Sequence, residues 1–325
     1  MLFRQRYEED LRHIGSLQAW LASLAVAAAF LLLPLVAQNY LVYNVTLFMV
    51  YSLVALALCL LVGYTGQVSL GHAGFFAAGA YTAGLVTLLG WPVVFSLPLS
   101  LLVGAALGLL IGVPALRLHG PYLAIATLGF GLAIQQLLNN WALVGASSGL
   151  FVERPRLAGL SFWNDATFYY FVLAVFALSL WLSFNLVRSH IGRAFVAVRD
   201  AELAAQTSGV SLSYYKILAF VLSAALTALA GSLYGQLAQY VTPESFNLLL
   251  SVKFLLMIVV GGLGFLPGAV LGAAFITGLE FRLSAAQNWS QLIYGAVVIV
   301  IMVLEPLGIY GRWLKIQRYW KSWPM

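Results

Sequence analysis

Residues 41–62 read LVYNVTLFMVYSLVALALCLLV without one charged side chain, and residues 63–76 continue as GYTGQVSLGHAGFF, where polar groups and glycines interrupt the apolar run. The first stretch is long enough to cross a bilayer, which takes roughly 20 apolar residues as a helix. Hydrocarbon offers the backbone no partners, so such a run must close its own hydrogen bonds as a helix. The second stretch is costly in lipid unless Gln67, Ser69 and His72 pair with something or face water. Its glycines supply unusual backbone angles, and a broken helix frees amides and carbonyls to line a cavity.

Comparable apolar runs lie at 20–36, 68–89, 93–113, 122–138, 168–187, 214–237, 248–260, 269–283 and 292–304. Several fall below the roughly 17-residue minimum for a full crossing. The expectation is an all-α, polytopic transmembrane helical bundle of about ten membrane segments, some broken or re-entrant. Composition agrees, with 62% hydrophobic and only 8% charged residues. A soluble domain carries about 25% charge to face water; here lipid takes the place of that polar surface.

Charge sets the orientation. With the N-terminus inside, cytoplasmic regions hold Arg4, Arg6 and Arg12; Arg117; Arg188, Arg193, Arg199 and Lys216; and Arg312, Lys315, Arg318 and Lys321, most of the sixteen basic residues. Cytoplasmic loops of membrane proteins show this excess. Residues 1–19 then form a cytoplasmic N-terminal segment, 20–306 the transmembrane domain, and 307–325 a cytoplasmic basic and aromatic tail. The loop 139–167 falls on the periplasmic side and 188–213 on the cytoplasmic side. In the latter, Ile191, Ala194, Phe195 and Val198 at helical spacing predict a short amphipathic element. Glu8, Glu9 and Asp10 are untypical of a cleaved leader, so the first apolar run is read as a retained span. The net charge of +6 is scattered through short loops, which fits topology signalling and not nucleic acid. Cys59 sits in an apolar run and is read as a structural thiol.

No phosphate-binding GxxxxGK[ST] loop, HExxH or CxxC pattern is present. Residues 145–149 satisfy GxSxG, but a nucleophile elbow needs a preceding strand, and here a hydrophobic helix precedes. Gly261, Gly262, Gly264 and Gly268 are candidates for a hinge or a close-packing break. Lys253, near the outer end of a span, is read as snorkelling to the interface, and His13, His119 and His190 as solvated near membrane surfaces. For the 63–76 stretch two readings stay open from the residues alone: a pathway or gating role, or mutual satisfaction between helices.

Four ordered blocks carry a resemblance: GYTGQVSLGHAGFFAAGAY (63–81), PALRLHGPYLAIATLGF (114–130), SHIGRAFVAVRDAELAA (189–205) and VGGLGFLPGAVLGA (260–273). Together they resemble the permeases of branched-chain amino-acid ABC importers, the LivH/LivM class, and within it the LivM type. The resemblance implies a subunit of the bacterial inner membrane that does no covalent chemistry and holds no cofactor. ATP and Mg would be bound by two cytoplasmic ATPase subunits. A LivH-like permease chain and a periplasmic substrate-binding protein would complete the importer, with a branched-chain or other neutral amino acid as solute. Relatives also move urea, short amides or small carboxylates. It further implies a translocation path or gate at Gly63, Gly66, Gln67, Ser69, Gly71, His72, Phe75, Phe76, Tyr122 and Thr127. ABC permeases carry an acidic-Ala-Ala loop with a following Gly that docks on the ATPase. Here Glu202, Ala204, Ala205 and Gly209 stand in that pattern with the acid displaced by one, and Arg193, Arg199 and Asp200 would make charged contacts at its rim.

Two other classes are weighed against this. An ion-coupled secondary carrier usually places acids at midplane, and the spans are nearly free of them. An intramembrane enzyme would have only His72 with Ser69 to work with.

Overall fold

Among the described residues, the apolar runs close their backbone bonds as helices, most with bounds close to those read from the sequence. The computed structural model describes residues 17–118, 120–157, 160–161, 164–283 and 308–321, together with 293, 295, 296, 299, 300 and 303. Arg4, Arg6, Arg12, His13, His119 and most of the 292–304 segment lie outside the described residues. The helices are α1 Leu17–Val36, α2 Asn39–Leu58, α3 His72–Leu88, α4 Ser96–Ala115, α5 Pro121–Asn140 and α6 Asp165–Arg188. They continue with α7 His190–Asp200, α8 Glu202–Thr207, α9 Leu212–Ala238, α10 Leu248–Gly261, α11 Leu266–Leu283 and α12 Gly308–Lys321. A wider π-helical turn, Cys59–Tyr64, extends α2.

About ten membrane segments were expected; six helices among the described residues are long and apolar enough to cross. The difference has identifiable causes. Helix α3 starts only at His72, because residues 66–71 leave helical geometry. Helix α10 has 14 residues, about 21 Å at the helical rise, against a hydrocarbon core of about 30 Å. Its start is set by Pro243 and by the N-cap Asn247, whose side chain accepts from Leu250 N at 3.1 Å. At the other end, Gly262 and Gly264 take φ of 120° and 82° and turn the chain into α11.

Helices α2 and α9 form the centre. Along α2 every residue from Met49 to Leu61 is buried, and α9 packs most extensively on α4 and α3. The α4–α9 seam is built from small residues at every fourth position. Ser96, Ser100, Gly104, Gly108 and Gly112 are the buried face of α4. Opposite them stand Phe220, Ala224 and Ala228: a Cβ added at Gly104 would lie 2.6 Å from Ala224 O, and one at Gly108 2.7 Å from the Ala224 side chain. Apolar side chains gain nothing by leaving lipid for one another, so close backbone approach through small residues supplies the attraction. Cys59 is free and buried within this centre.

At the end of the bundle that carries the 139–167 loop, two-residue strands β1 (Leu150–Phe151) and β4 (Tyr240–Val241) pair antiparallel, tying that loop to the segment before α10. In the same loop β2 (Arg156–Leu157) pairs with β3 (Leu160–Ser161). The buried Arg154 meets Asp165 at 2.7 Å and lies 5.1 Å over the Phe168 ring. The serine of the GxSxG pattern, Ser147, sits in a short 3-10 turn rather than at a strand-to-helix elbow.

Lys253 does not snorkel. Its Nζ meets Glu280 Oε2 at 2.6 Å and lies 4.4 Å from the centre of the Tyr51 ring. The one acid within the 269–283 segment is therefore spent on an internal pair. Glu280→Leu alone strands an ammonium whose side chain is only 16% exposed; we expect a loss of about 3 kcal/mol, the lower end for broken buried pairs because Glu280 is 41% exposed. The double replacement Lys253→Met/Glu280→Leu is expected to return to within about 1 kcal/mol of the parent. Thermal unfolding in detergent of the four members of the cycle checks this, and additive losses would show that the pair has no coupling.

Candidate functional site

The 63–76 stretch runs from the end of α2 to the first turn of α3 and is tied at each polar group. Thr65 Oγ1 donates to Leu61 O at 2.6 Å. Gln67 Nε2 donates to Thr65 Oγ1 at 2.9 Å and to Lys216 O on α9 at 3.4 Å. Leu70 N donates to Thr127 Oγ1 on α5 at 3.0 Å, and Ala73 N to Ser251 Oγ on α10 at 3.0 Å. At the centre is a chain of three side chains. Ser223 Oγ donates to Ala57 O at 2.8 Å, so it is left to accept from His72 Nε2, also 2.8 Å away. His72 Nδ1 is then the acceptor for the Ser69 hydroxyl at 3.0 Å. The tautomer follows from where each proton can go.

Of the aromatic members, Phe75 meets the His72 ring edge-on at 5.6 Å and lies tilted against Phe130 of α5 with centroids 4.8 Å apart, while Phe76 joins Tyr51, Tyr234, Phe246 and Phe254 in the core. Gly71 lies against the backbone of Thr127. Of the residues expected along the path, all but Gly66 and Tyr122 are buried within this chain. Tyr122 stands apart on the outer face of α5 at 71% exposure. The polar groups of the break are met by hydrogen bonds within the chain.

The outer face of α5 carries what sequence reasoning missed. Gln136 and Asn140, with Ala133, Leu137 and Trp141, line a shallow, open depression there. Amide side chains toward the end of an apolar run are a readable signal, since lipid does not satisfy them.

The 188–213 element folds as α7 and α8. Ser189 caps α7 by accepting from Ile191 N at 3.1 Å. Gly192, Ala194, Phe195 and Val198 form the buried face, with Phe195 packed in a cluster with Leu61, Leu123, Ala219 and Phe220. Arg193 Nη1 caps the end of α6 at Arg188 O, 3.2 Å away. Arg199 turns inward: its Nη1 donates to Gly63 O at 2.7 Å while its Nε is held by Asp200 Oδ1 at 2.8 Å. Glu202 meets Lys216 Nζ at 2.7 Å. Of the two alanines, Ala204 is exposed and Ala205 is buried against the chain. Leu203, absent from the sequence reading, is the most prominent feature of α8 at 81% exposure. Gly209, at φ 84°, makes the exit turn.

The second break closes on the first. Gly261 packs on the backbone of Gly268 and Gly272. A Cβ added at Gly63 would lie 2.6 Å from Gly264 N, so the two glycine breaks touch, with Arg199 beside both.

The profile of the family described as branched-chain amino acid transport system / permease component matches residues 40–302. The high-affinity branched-chain amino acid transport system permease protein LivM of Salmonella typhimurium is 33% identical over 89% of this chain and 73% of its own length. The autoinducer 2 import system permease protein LsrC of Escherichia coli is 28% identical over 87% of this chain and 85% of its own. LivH of Salmonella typhimurium, likewise a branched-chain amino acid permease protein, is 29% identical over 56% of each chain.

Proposed function

We propose, since the chain belongs to the family of permease components of branched-chain amino acid transport systems, that it forms one half of the membrane path of an importer for a branched-chain or similar neutral amino acid. The other half is a LivH-like permease chain. ATP and Mg reside on two cytoplasmic ATPase subunits, and a periplasmic binding protein delivers the solute. The chain lies in the inner membrane with both ends in the cytoplasm.

One observation carries this reading. The helix pair α7–α8 is fastened to the bundle on one side and presents Leu203 and Ala204 on the other. An apolar knob beside a small residue on a short helix is the form in which a helix enters a partner's groove. Closure of the ATPase pair on ATP would move α8, and the bundle would shift between inward- and outward-facing arrangements by the difference in ATPase affinity for the two. The solute would pass along the exposed face of α5, where Gln136 and Asn140 near one end and Tyr122 near the other offer polar groups toward the second permease chain.

The test is ATP hydrolysis in proteoliposomes holding the chain with its permease partner, ATPases and binding protein. Neutral amino acids are compared with urea, short amides, small carboxylates and autoinducer 2. Stimulation by neutral amino acids is expected, falling about 30-fold with Leu203→Glu or Ala204→Trp, as for a buried interface anchor. Stimulation by another solute alone would change the substrate class. Uptake that follows a sodium or proton gradient, without ATPase association, would replace the reading by a secondary carrier.

A further inference from the structure

Arg199 lies near the end of α7 with its side chain 37% exposed, and one nitrogen of its guanidinium reaches into the bundle. Nη1 donates to Gly63 O at 2.7 Å. That carbonyl belongs to the last turn of the π-extended helix, where carbonyls lack an onward backbone donor. On the other side of the same nitrogen is Gly264, where an added Cβ would lie 3.2 Å from Nη1. The aliphatic part covers the turn at Gly66, where an added Cβ would meet Arg199 Cγ at 3.2 Å. Asp200 Oδ1 accepts from Nε and fixes the plane of the guanidinium. One side chain of the α7–α8 pair is thus bonded to the break at 63–66 and lies beside the break at 264.

We propose that Arg199 is the transmission residue of this chain, carrying displacement of α7–α8 into both glycine breaks at once. This rests on the reading of α7–α8 as the ATPase-docking element. The breaks are where the backbone can change direction, because Gly66 and Gly264 hold positive φ, 72° and 82°, and the Arg199 side chain lies against both. A charge-assisted bond to a carbonyl resists being pulled apart more than packing alone does. Glu202–Lys216, with Lys216 O accepting from Gln67, is a second tie from α8 to the same break; it leaves out Gly264. Arg199 is a positioning residue, acting through the backbone it holds.

Two measurements on Arg199→Ala test this. In the complete chain purified alone, hydrogen exchange at residues 64–67 and 263–265 is expected to rise about tenfold, the size of one lost charge-assisted bond. In the full importer, solute moved per ATP hydrolysed is expected to fall by a similar factor with basal hydrolysis retained, while Lys315→Ala on α12 keeps the parent ratio. Arg199→Lys, which reaches one acceptor but not two, is expected to fall between, and it carries the test if the alanine variant does not assemble. Faster exchange with an unchanged ratio would make Arg199 a cap only and overturn the proposal. So would unchanged exchange. A parent complex without ATP-driven uptake would overturn it through the functional reading, and the exchange result would show whether the contact itself is sound.

Discussion

Gly231→Val is expected to leave almost no folded protein. Helices α3 and α9 cross with backbone against backbone: a Cβ at Gly231 falls inside the contact distance of Phe76 O, and one at Gly79 inside that of Ala228 O. Overpacking commonly costs about 1–3 kcal/mol when side chains can rotate away. Neither of these obstacles is a side chain, so the helices must separate along their length. That undoes the aromatic contacts of Phe76 with Tyr234 and Phe254 as well. We expect a loss of about 4 kcal/mol or more, the exceptional end of single substitutions. Gly278→Ala, where an added Cβ meets nothing within 4 Å, is the matched control and is expected to be neutral or slightly stabilising. The monodisperse fraction after extraction checks both, and a Gly231→Val sample that elutes and melts like the parent would refute the crossing.

His72→Leu is the second large effect. It keeps most of the side-chain volume and removes both ring nitrogens from a fully enclosed site. The Ser69 hydroxyl loses its acceptor and Ser223 Oγ loses the donor at 2.8 Å, and each buried polar group left unmet costs about 1–3 kcal/mol. A loss of about 3 kcal/mol follows. Ser223→Ala is expected to cost less, about 1–2 kcal/mol, because it leaves the His72 N–H and one carbonyl lone pair unmet while Ser69 keeps its acceptor. Melting temperatures that ranked the two the other way would mean that the network does not hold α3 in place.

The spans were legible in the sequence because lipid imposes one requirement on them all. Run lengths at 41–62, 168–187 and 214–237 located α2, α6 and α9 to within a few residues. The interruption at 63–76 was legible for the same reason reversed: polar groups there must be met by something, and they are met by Thr127, Ser223, Ser251 and Lys216 O. Which face of each helix points inward was not legible. Around a helix in lipid both faces are apolar, so α2 and α4 look alike in composition while one is central and the other peripheral. The usable signal was residue size. Ser96, Ser100, Gly104, Gly108 and Gly112 stand at every fourth position, a pattern of size and not of polarity.

The α7–α8 pair shows a different limit. Periodicity found the buried face of α7 at Ala194, Phe195 and Val198, whereas the family resemblance put Arg199 among charged contacts at the rim of the docking loop. A long side chain at the end of a short helix can turn either way, and the decision lay with Gly63 and Gly66, far away in sequence. The pairing of Lys253 with Glu280 was invisible for the same reason.

The small-residue seam between α4 and α9 has a thermal consequence. Glycine, alanine and serine have few or no rotamers to lose when two helices meet, whereas leucine or methionine would each surrender some freedom. Association along this seam therefore carries little side-chain entropy penalty, and its strength should vary weakly with temperature. Warming would loosen the leucine- and phenylalanine-rich contacts around α2 first, leaving α4 and α9 as the last pair to part.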